Sequence, residues 1–199
     1  MGFAVTNDGG VPLWDTWQLY GLDNVGYPLS SRFVWGGYLT QVFQKAVFQS
    51  RPDLGGVAFV NVFDELHNWR ADSFLLVNRQ TPLQVDPSFD AGKPPEQIVQ
   101  ARLALLDANG AIRDRYFSGV DPLLLYGLPT SAVQDMGNAF VIRTQRAVFQ
   151  QWKVDVPWAS AGQVTVANGG DIAKEEGLFP TDMIQNGASV NPLQPQPPP

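Results

Sequence analysis

The sequence predicts an α+β protein built from two related β-hairpin lobes that are bridged and covered by helices. Three observations carry that expectation. The segment Gly26-Tyr27-Pro28-Leu29-Ser30 returns 101 positions later as Gly127-Leu128-Pro129-Thr130-Ser131. At the same spacing Gln44-Lys45-Ala46-Val47-Phe48-Gln49 returns as Gln145-Arg146-Ala147-Val148-Phe149-Gln150, with Leu22 over Leu123 and Gly36 over Gly137. A register held across separate motifs marks an internal duplication. Finally, 44% hydrophobic and 12% aromatic residues against 16% charged ones supply a packed core and exclude a disordered, solvating chain.

The elements follow in order. After an N-terminal extension (1–9), the first lobe (10–62) opens with a helix from Val11 to Tyr20 that sets Leu13, Trp17 and Tyr20 near one face, with Gly21 as its stop. Gly26, Pro28 and Ser30 form a sharp turn into a strand: a permissive backbone position, a fixed φ and a hydroxyl that bonds nearby backbone. Gly36-Gly37 between Arg32–Trp35 and Tyr38–Phe43 reads as a two-residue hairpin turn, and Gly137-Asn138 takes its place in the second copy. Phe48 and Phe149 sit in strands that are apolar on both faces, as expected of a covered sheet.

A helical linker region (63–119) comes next. Phe63–Trp69 and Ser73–Val77 read as brief helices around a turn. Pro94–Ala108 has Pro95 in its first turn and an apolar stripe of Ile98, Ala101, Leu103, Leu105 and Leu106. Ala111–Phe117 is a shorter helix after the Asn109-Gly110 break. The second lobe (120–182) ends with an alternating strand at Gln163–Ala167, an Asn168-Gly169-Gly170 turn and a helix over Ile172–Glu176 capped by Asp171. Residues 183–199 read as a Pro-rich disordered tail.

Composition limits the chemistry. With 13 Lys and Arg against 19 Asp and Glu the formal net charge is −6, so no nucleic-acid partner is expected. There is no Cys and a single His, which removes thiolate sites and multi-histidine metal centres, and no metal or cofactor is expected. No apolar run approaches the ~20 residues of a transmembrane helix. Asp107, Asn109, Gly110 and Asp114 imitate part of a calcium loop, but the glycine is misplaced and no Glu closes it.

His67 follows Asp64 and Glu65 and precedes Asp72, an arrangement from which a carboxylate-steered general base can be drawn. Acid pairs for glycoside hydrolysis can be drawn from Asp64, Glu65, Asp171, Glu175 and Glu176. Nineteen acids allow many such pairs, and no serine sits in a nucleophile elbow. Trp14, Trp17, Tyr20, Trp35 and Tyr38 gather around the first repeat, where aromatics stack on sugar rings and Gln41 orients them. Packing explains the same residues. Gln44, Gln145 and their partners Gln49 and Gln150 fit amides that satisfy backbone groups at each bend.

Gly26-Tyr27-Pro28-Leu29-Ser30, its hairpin and Gln44-Lys45-Ala46-Val47-Phe48-Gln49 resemble the short Gly-x-Pro-x-Ser repeats of secreted bacterial cell-wall proteins, the LGFP-type modules often attached to peptidoglycan hydrolases. The likeness covers residues 10–52 and, loosely, 120–153. Across the whole chain the sequence is similar to uncharacterised secreted or cell-envelope proteins of the Chloroflexota. Segments like Phe63–His67, Asp86–Lys93, Tyr126–Ser131, Arg143–Trp152 and Gly162–Lys174 occur there in this order. The resemblance implies an extracellular or cell-envelope location and an architecture, with no assigned activity. Here two copies flank a long helical insert, where LGFP modules form a close-packed array.

The expectation is a non-catalytic extracytoplasmic module that binds cell-wall polysaccharide or an envelope protein. The alternatives are a structural or accessory subunit of a surface assembly, and an envelope-polymer hydrolase using acids near His67.

Overall fold

The computed structural model describes residues 2–185 of the 199-residue chain, so the expected Pro-rich tail lies almost wholly outside the described residues. The protein is α+β, with two four-stranded antiparallel sheets, each a meander in which every strand pairs with the next. In chain order the elements are α1 (Leu13–Val25), β1 (Phe33–Trp35), β2 (Tyr38–Val42), β3 (Val47–Arg51), β4 (Gly56–Phe59), α2 (Val62–Asn68) and α3 (Asp72–Arg79). Then come α4 (Pro95–Leu103), α5 (Gly110–Phe117), α6 (Pro122–Tyr126), β5 (Gln134–Asp135), β6 (Ala139–Arg143), β7 (Val148–Trp152), β8 (Val164–Val166), α7 (Gly169–Glu175) and α8 (Thr181–Gln185). No described helix is long and apolar enough to cross a membrane.

The chain divides into two compact units, one running to Val62 and resuming at Asn168, the other spanning Phe63–Ala167. Each unit therefore takes the sheet of one repeat and the helices that follow the sheet of the other. In the first unit Leu13, Val25, Val42, Phe43, Val47 and Phe48 are fully buried; in the second, Phe63, Leu66, Leu75, Leu106, Ile112, Tyr116 and Phe149 are. Burying each such side chain is worth ~1.5–3 kcal/mol.

The repeated turn has the same wiring in both copies. A short helix ends on Gly26 or Gly127, at φ of 80° or 69°, and the glycine N–H bonds the carbonyl of Leu22 or Leu123. A Cβ there would lie 2.6 Å from Gln44 Cβ, or 2.7 Å from Gln145 Cβ, so glycine is required by both backbone and space. Gln44 Oε1 accepts the Tyr27 N–H at 3.0 Å and Gln145 Oε1 the Leu128 N–H at 2.9 Å. Ser30 and Ser131 accept the N–H of Val42 and Arg143 through Oγ, each at 2.9 Å. Pro28 and Pro129 sit at isolated bridges to Phe43 and Thr144. The first hairpin turns through Gly36 and Gly37, both left-handed; the second is left-handed at Gly137, where Met136 N–H meets Ala139 C=O.

The duplication runs further than the sequence spacing alone reveals. Phe48 pairs with Phe59 and Phe149 with Val166, so the loop after β7 is longer and the offset becomes 107 from the fourth strand onward. At that offset Asn61 falls on Asn168, Asp64 on Asp171 and α2 on α7. The N-terminus of each helix meets the bend of a sheet in its own unit. The Phe63 N–H bonds the Gln145 carbonyl at 3.0 Å, and the Gly170 N–H bonds the Gln44 carbonyl at 2.9 Å.

Gly21 stops the first helical run of α1 as expected: its backbone leaves the helix at φ 73° and ψ 170°, and a second short run carries α1 to Val25. Two local expectations are corrected. The Pro94–Ala108 stripe is less buried than its pattern implies, because α4 contains no buried residue and the chain tightens to a 3₁₀ helix over Ala104–Ala108, where Leu106 alone is buried. Asp171 lies inside the first turn of α7, whose cap position is Asn168; the Asn168 amide donates to the Asp171 carboxylate at 3.0 Å. Asn109, read as a break, caps α5 by accepting the Ile112 N–H at 3.0 Å.

Candidate functional site

Within the second unit α2 buries Phe63 and Leu66 and turns Asp64 and His67, three residues apart, to one side. Both line a cavity of about 380 Å³ whose other polar walls are Asn68, Gln84, Asp90, Arg102, Thr130 and Gln145, with Ile98 and Leu128 as apolar surface. Asp64 is held by two amides. Gln84 Nε2 donates to Oδ1 at 3.2 Å, and Gln145 Nε2, from the repeat-defining glutamine, donates to Oδ2 at 3.1 Å. Burial pushes the Asp64 carboxyl up from its ordinary value, against those hydrogen bonds and the charges of Arg143 and Arg102. Each oxygen keeps a further acceptor lone pair.

Another part of the wall is rigid for a different reason. Arg102, from α4, grips the Asp90 carboxylate with Nε and Nη2 and donates Nη1 to the Pro129 carbonyl at 3.1 Å. A fork-shaped guanidinium bound at three points is a fixed surface.

His67 Nδ1 lies 2.5 Å from Asp72 Oδ2, and Asp72 Oδ1 accepts Arg143 Nη1 at 2.8 Å. Arg143 is fully buried and also donates Nη2 to the Phe63 carbonyl, tying β6 to the first turn of α2. Burial raises Asp72, but the hydrogen bonds and charges of Arg143 and His67 outweigh it and hold the carboxyl below its ordinary value. A chain from a buried cation through a carboxylate to a half-exposed imidazole fixes the ring's orientation. Of the three candidates Asp64, Glu65 and His67, Glu65 alone does not line this cavity. No group of three His, Cys, Asp or Glu side chains among the described residues is placed to hold a metal ion.

The aromatics of the first repeat are engaged inside the first unit. Trp14 and Trp17 stack at 5.2 Å, and Trp17 Nε1 donates to the Gly26 carbonyl at 3.0 Å. Tyr20 is buried with its ring edge-on to Phe59, and Trp35 meets Phe179 the same way at 5.1 Å. The Arg51 guanidinium covers the Tyr38 ring at 4.3 Å. Gln41 is fully buried and donates to the carbonyls of Ala4 and Ser30. Tyr20 and Gln41 are therefore withdrawn as ligand groups: both close the core of the first unit.

The structure brings together Asp64, His67 and Gln145 from the residues singled out by sequence. It adds Gln84 and Asp90 from irregular segments, Arg102 from α4 and Arg143 from β6, none of which carries a motif. One signal existed for Arg143: it stands where the first repeat has Val42, and a charge replacing a core valine in a strand calls for a partner. Comparison with protein-family models, with curated proteins and with solved structures finds no match to this chain.

Proposed function

We propose that the chain is a non-catalytic, extracytoplasmic module of a bacterial envelope that binds wall glycan in the cavity around Asp64. The observation that carries this reading is the Asp64 carboxylate, fixed by two amides at a cavity wall with acceptor capacity to spare. A carboxylate so held accepts two neighbouring hydroxyls at once, the arrangement a sugar ring presents. Asn68, His67 and the amides of Gln84 and Gln145 add further polar contacts, and Ile98 and Leu128 suit the ring's C–H face. Trp69, 57% exposed, follows Asn68 directly and offers a stacking surface at the end of α2. Location and family come from the Gly-x-Pro-x-Ser resemblance alone.

Sedimentation with purified peptidoglycan tests the reading. The chain is expected in the pellet, and Asp64→Asn and Gln84→Ala should each weaken retention about tenfold, the ratio that ~1.4 kcal/mol represents. Retention unchanged in both variants would remove the site. If nothing is retained while a protein neighbour co-purifies stoichiometrically, the accessory-subunit reading replaces this one.

The His67 to Asp72 contact favours a hydrolase as a second reading, since a carboxylate-oriented imidazole is the form of a general base. Against it, both Asp64 oxygens already face N–H donors, which favour the acceptor over the proton-donor role. Turnover of a wall polymer that disappears in His67→Ala would reverse the order of the two readings.

A further inference from the structure

We propose that Arg70 receives a carboxylate of the bound glycan, so that the ligand is an acidic sugar; the inference rests on the glycan reading above and narrows it. It begins with how α2 ends. Arg70 N–H bonds the His67 carbonyl and Ala71 N–H the Leu66 carbonyl, both at 2.9 Å, with Arg70 left-handed at φ 65°. This is the closure that usually places glycine at the left-handed position. The second repeat does so: Gly177 N–H bonds Lys174, Leu178 N–H bonds Ala173, and Gly177 sits at φ 68°. One helix-ending device thus occurs twice, and the copy beside the cavity carries a strained arginine in place of the unstrained glycine.

The surroundings of Arg70 give that strain a use. Arg70, His67, Asn68, Asp72 and Ser73 line an open cavity of about 430 Å³, and His67 and Asn68 also belong to the cavity of Asp64. Asp72 is already held by Arg143 and His67. The Arg70 guanidinium makes no described hydrogen bond or ion pair, so the open cavity has a surplus positive charge in a chain whose net charge is −6. A guanidinium fork matches a planar carboxylate with two parallel N–H bonds. Asn68 and Ser73 add neutral donors beside it. A ligand whose hydroxyls meet Asp64 and whose carboxylate meets Arg70 uses both cavities through their shared wall.

The test is a titration of the full chain with a muramic-acid disaccharide and with the same disaccharide converted to its neutral carboxamide. The acid is expected to bind about tenfold more tightly at low ionic strength, a typical difference for a charge-assisted hydrogen bond. Arg70→Gln should bring its affinity down to that of the carboxamide, with the carboxamide unaffected. Arg70→Gly, which installs the residue of the second repeat, should lose the same preference while its melting temperature rises, separating lost recognition from lost folding. Equal binding of the two ligands by the unaltered chain overturns this inference and leaves the glycan reading standing. Binding of neither removes both.

Discussion

The two repeats share a turn, a hairpin and a following helix, yet they diverge at the positions that face the candidate site. Where the first repeat has Val42, an apolar core residue, the second has Arg143, equally buried and ion-paired to Asp72. Gln44 and Gln145 satisfy the same backbone N–H, but Gln145 also reaches a carboxylate on α2. Gly177 ends α7 without strain, and Arg70 ends α2 with it. The turn-building positions are kept between the copies, and these three departures lie on α2 or in contact with it. On the proposed reading, divergence between internal copies points to the site without any external relative.

The comparison can be broken most forcefully at the Val42 and Arg143 positions. Arg143→Ala is expected to cost about 3–5 kcal/mol, because it leaves Asp72 without its buried partner and the Phe63 carbonyl without its donor. Val42→Ala should cost about 2 kcal/mol, two methyl groups plus a small cavity. Denaturant melts of both variants read the difference. Equal losses would mean that Arg143 fills space and clamps nothing.

Gly26→Ala and Gly127→Ala come next and should behave alike. Each forces a Cβ against a glutamine Cβ and puts a side chain at a φ that glycine tolerates, for about 2–3 kcal/mol apiece. Unequal losses, measured in parallel melts, would show that the shared wiring of the turns hides a difference in how firmly each is held.

These glycines were legible in the sequence because their constraint is local: turn, proline and serine occupy five consecutive positions, and the hairpin glycines follow within a few more. Asp64, His67 and Asp72 were legible for the same reason, lying within one short stretch. The continuation of the repeat into α2 and α7 was not, because the longer loop after β7 shifts the register and few identities survive, among them Asn61 with Asn168 and Asp64 with Asp171. Gln84 and Asp90 lie in segments with no regular pattern and Arg102 is a polar residue of α4 that its apolar stripe does not mark, so only folding sets the three around one cavity. The stripe in α4 misled in the other direction: periodicity gives the apolar face of a helix but not how much of that face another element covers.

A smaller effect sharpens the contrast at the helix ends. Arg70→Gly should stabilise the chain by about 1 kcal/mol by relieving the left-handed strain, and Gly177→Arg should destabilise it by a similar amount. The measurement is the shift in thermal midpoint for each variant. A loss of stability in Arg70→Gly would reveal that the arginine contributes to folding and would weaken the case for its being kept for a ligand.

The subtlest test uses the pH dependence of stability, where Asp64 and Asp72 pull in opposite directions. Asp64 is raised in the folded protein by burial, so its contribution to stability is fully present below the unfolded value and is lost as pH rises through the folded one. Asp72 is lowered, burial being outweighed by Arg143 and His67, so its contribution is present above the unfolded value and is lost as pH falls through the folded one. Asp64→Asn should therefore remove the loss on the rising side of the carboxylate range and leave the acid side intact. Asp72→Asn should do the reverse. At neutral pH Asp64→Asn should be at least as stable as the unaltered chain, since its oxygen can still accept from Gln145 and its amide can donate to a flipped Gln84, yet it should lose glycan retention. A carboxylate that lowers stability and is indispensable for binding is kept for its ligand; one whose removal destabilises the fold with no change in the pH profile is a structural acceptor, as Gln44 and Ser30 are in the first repeat.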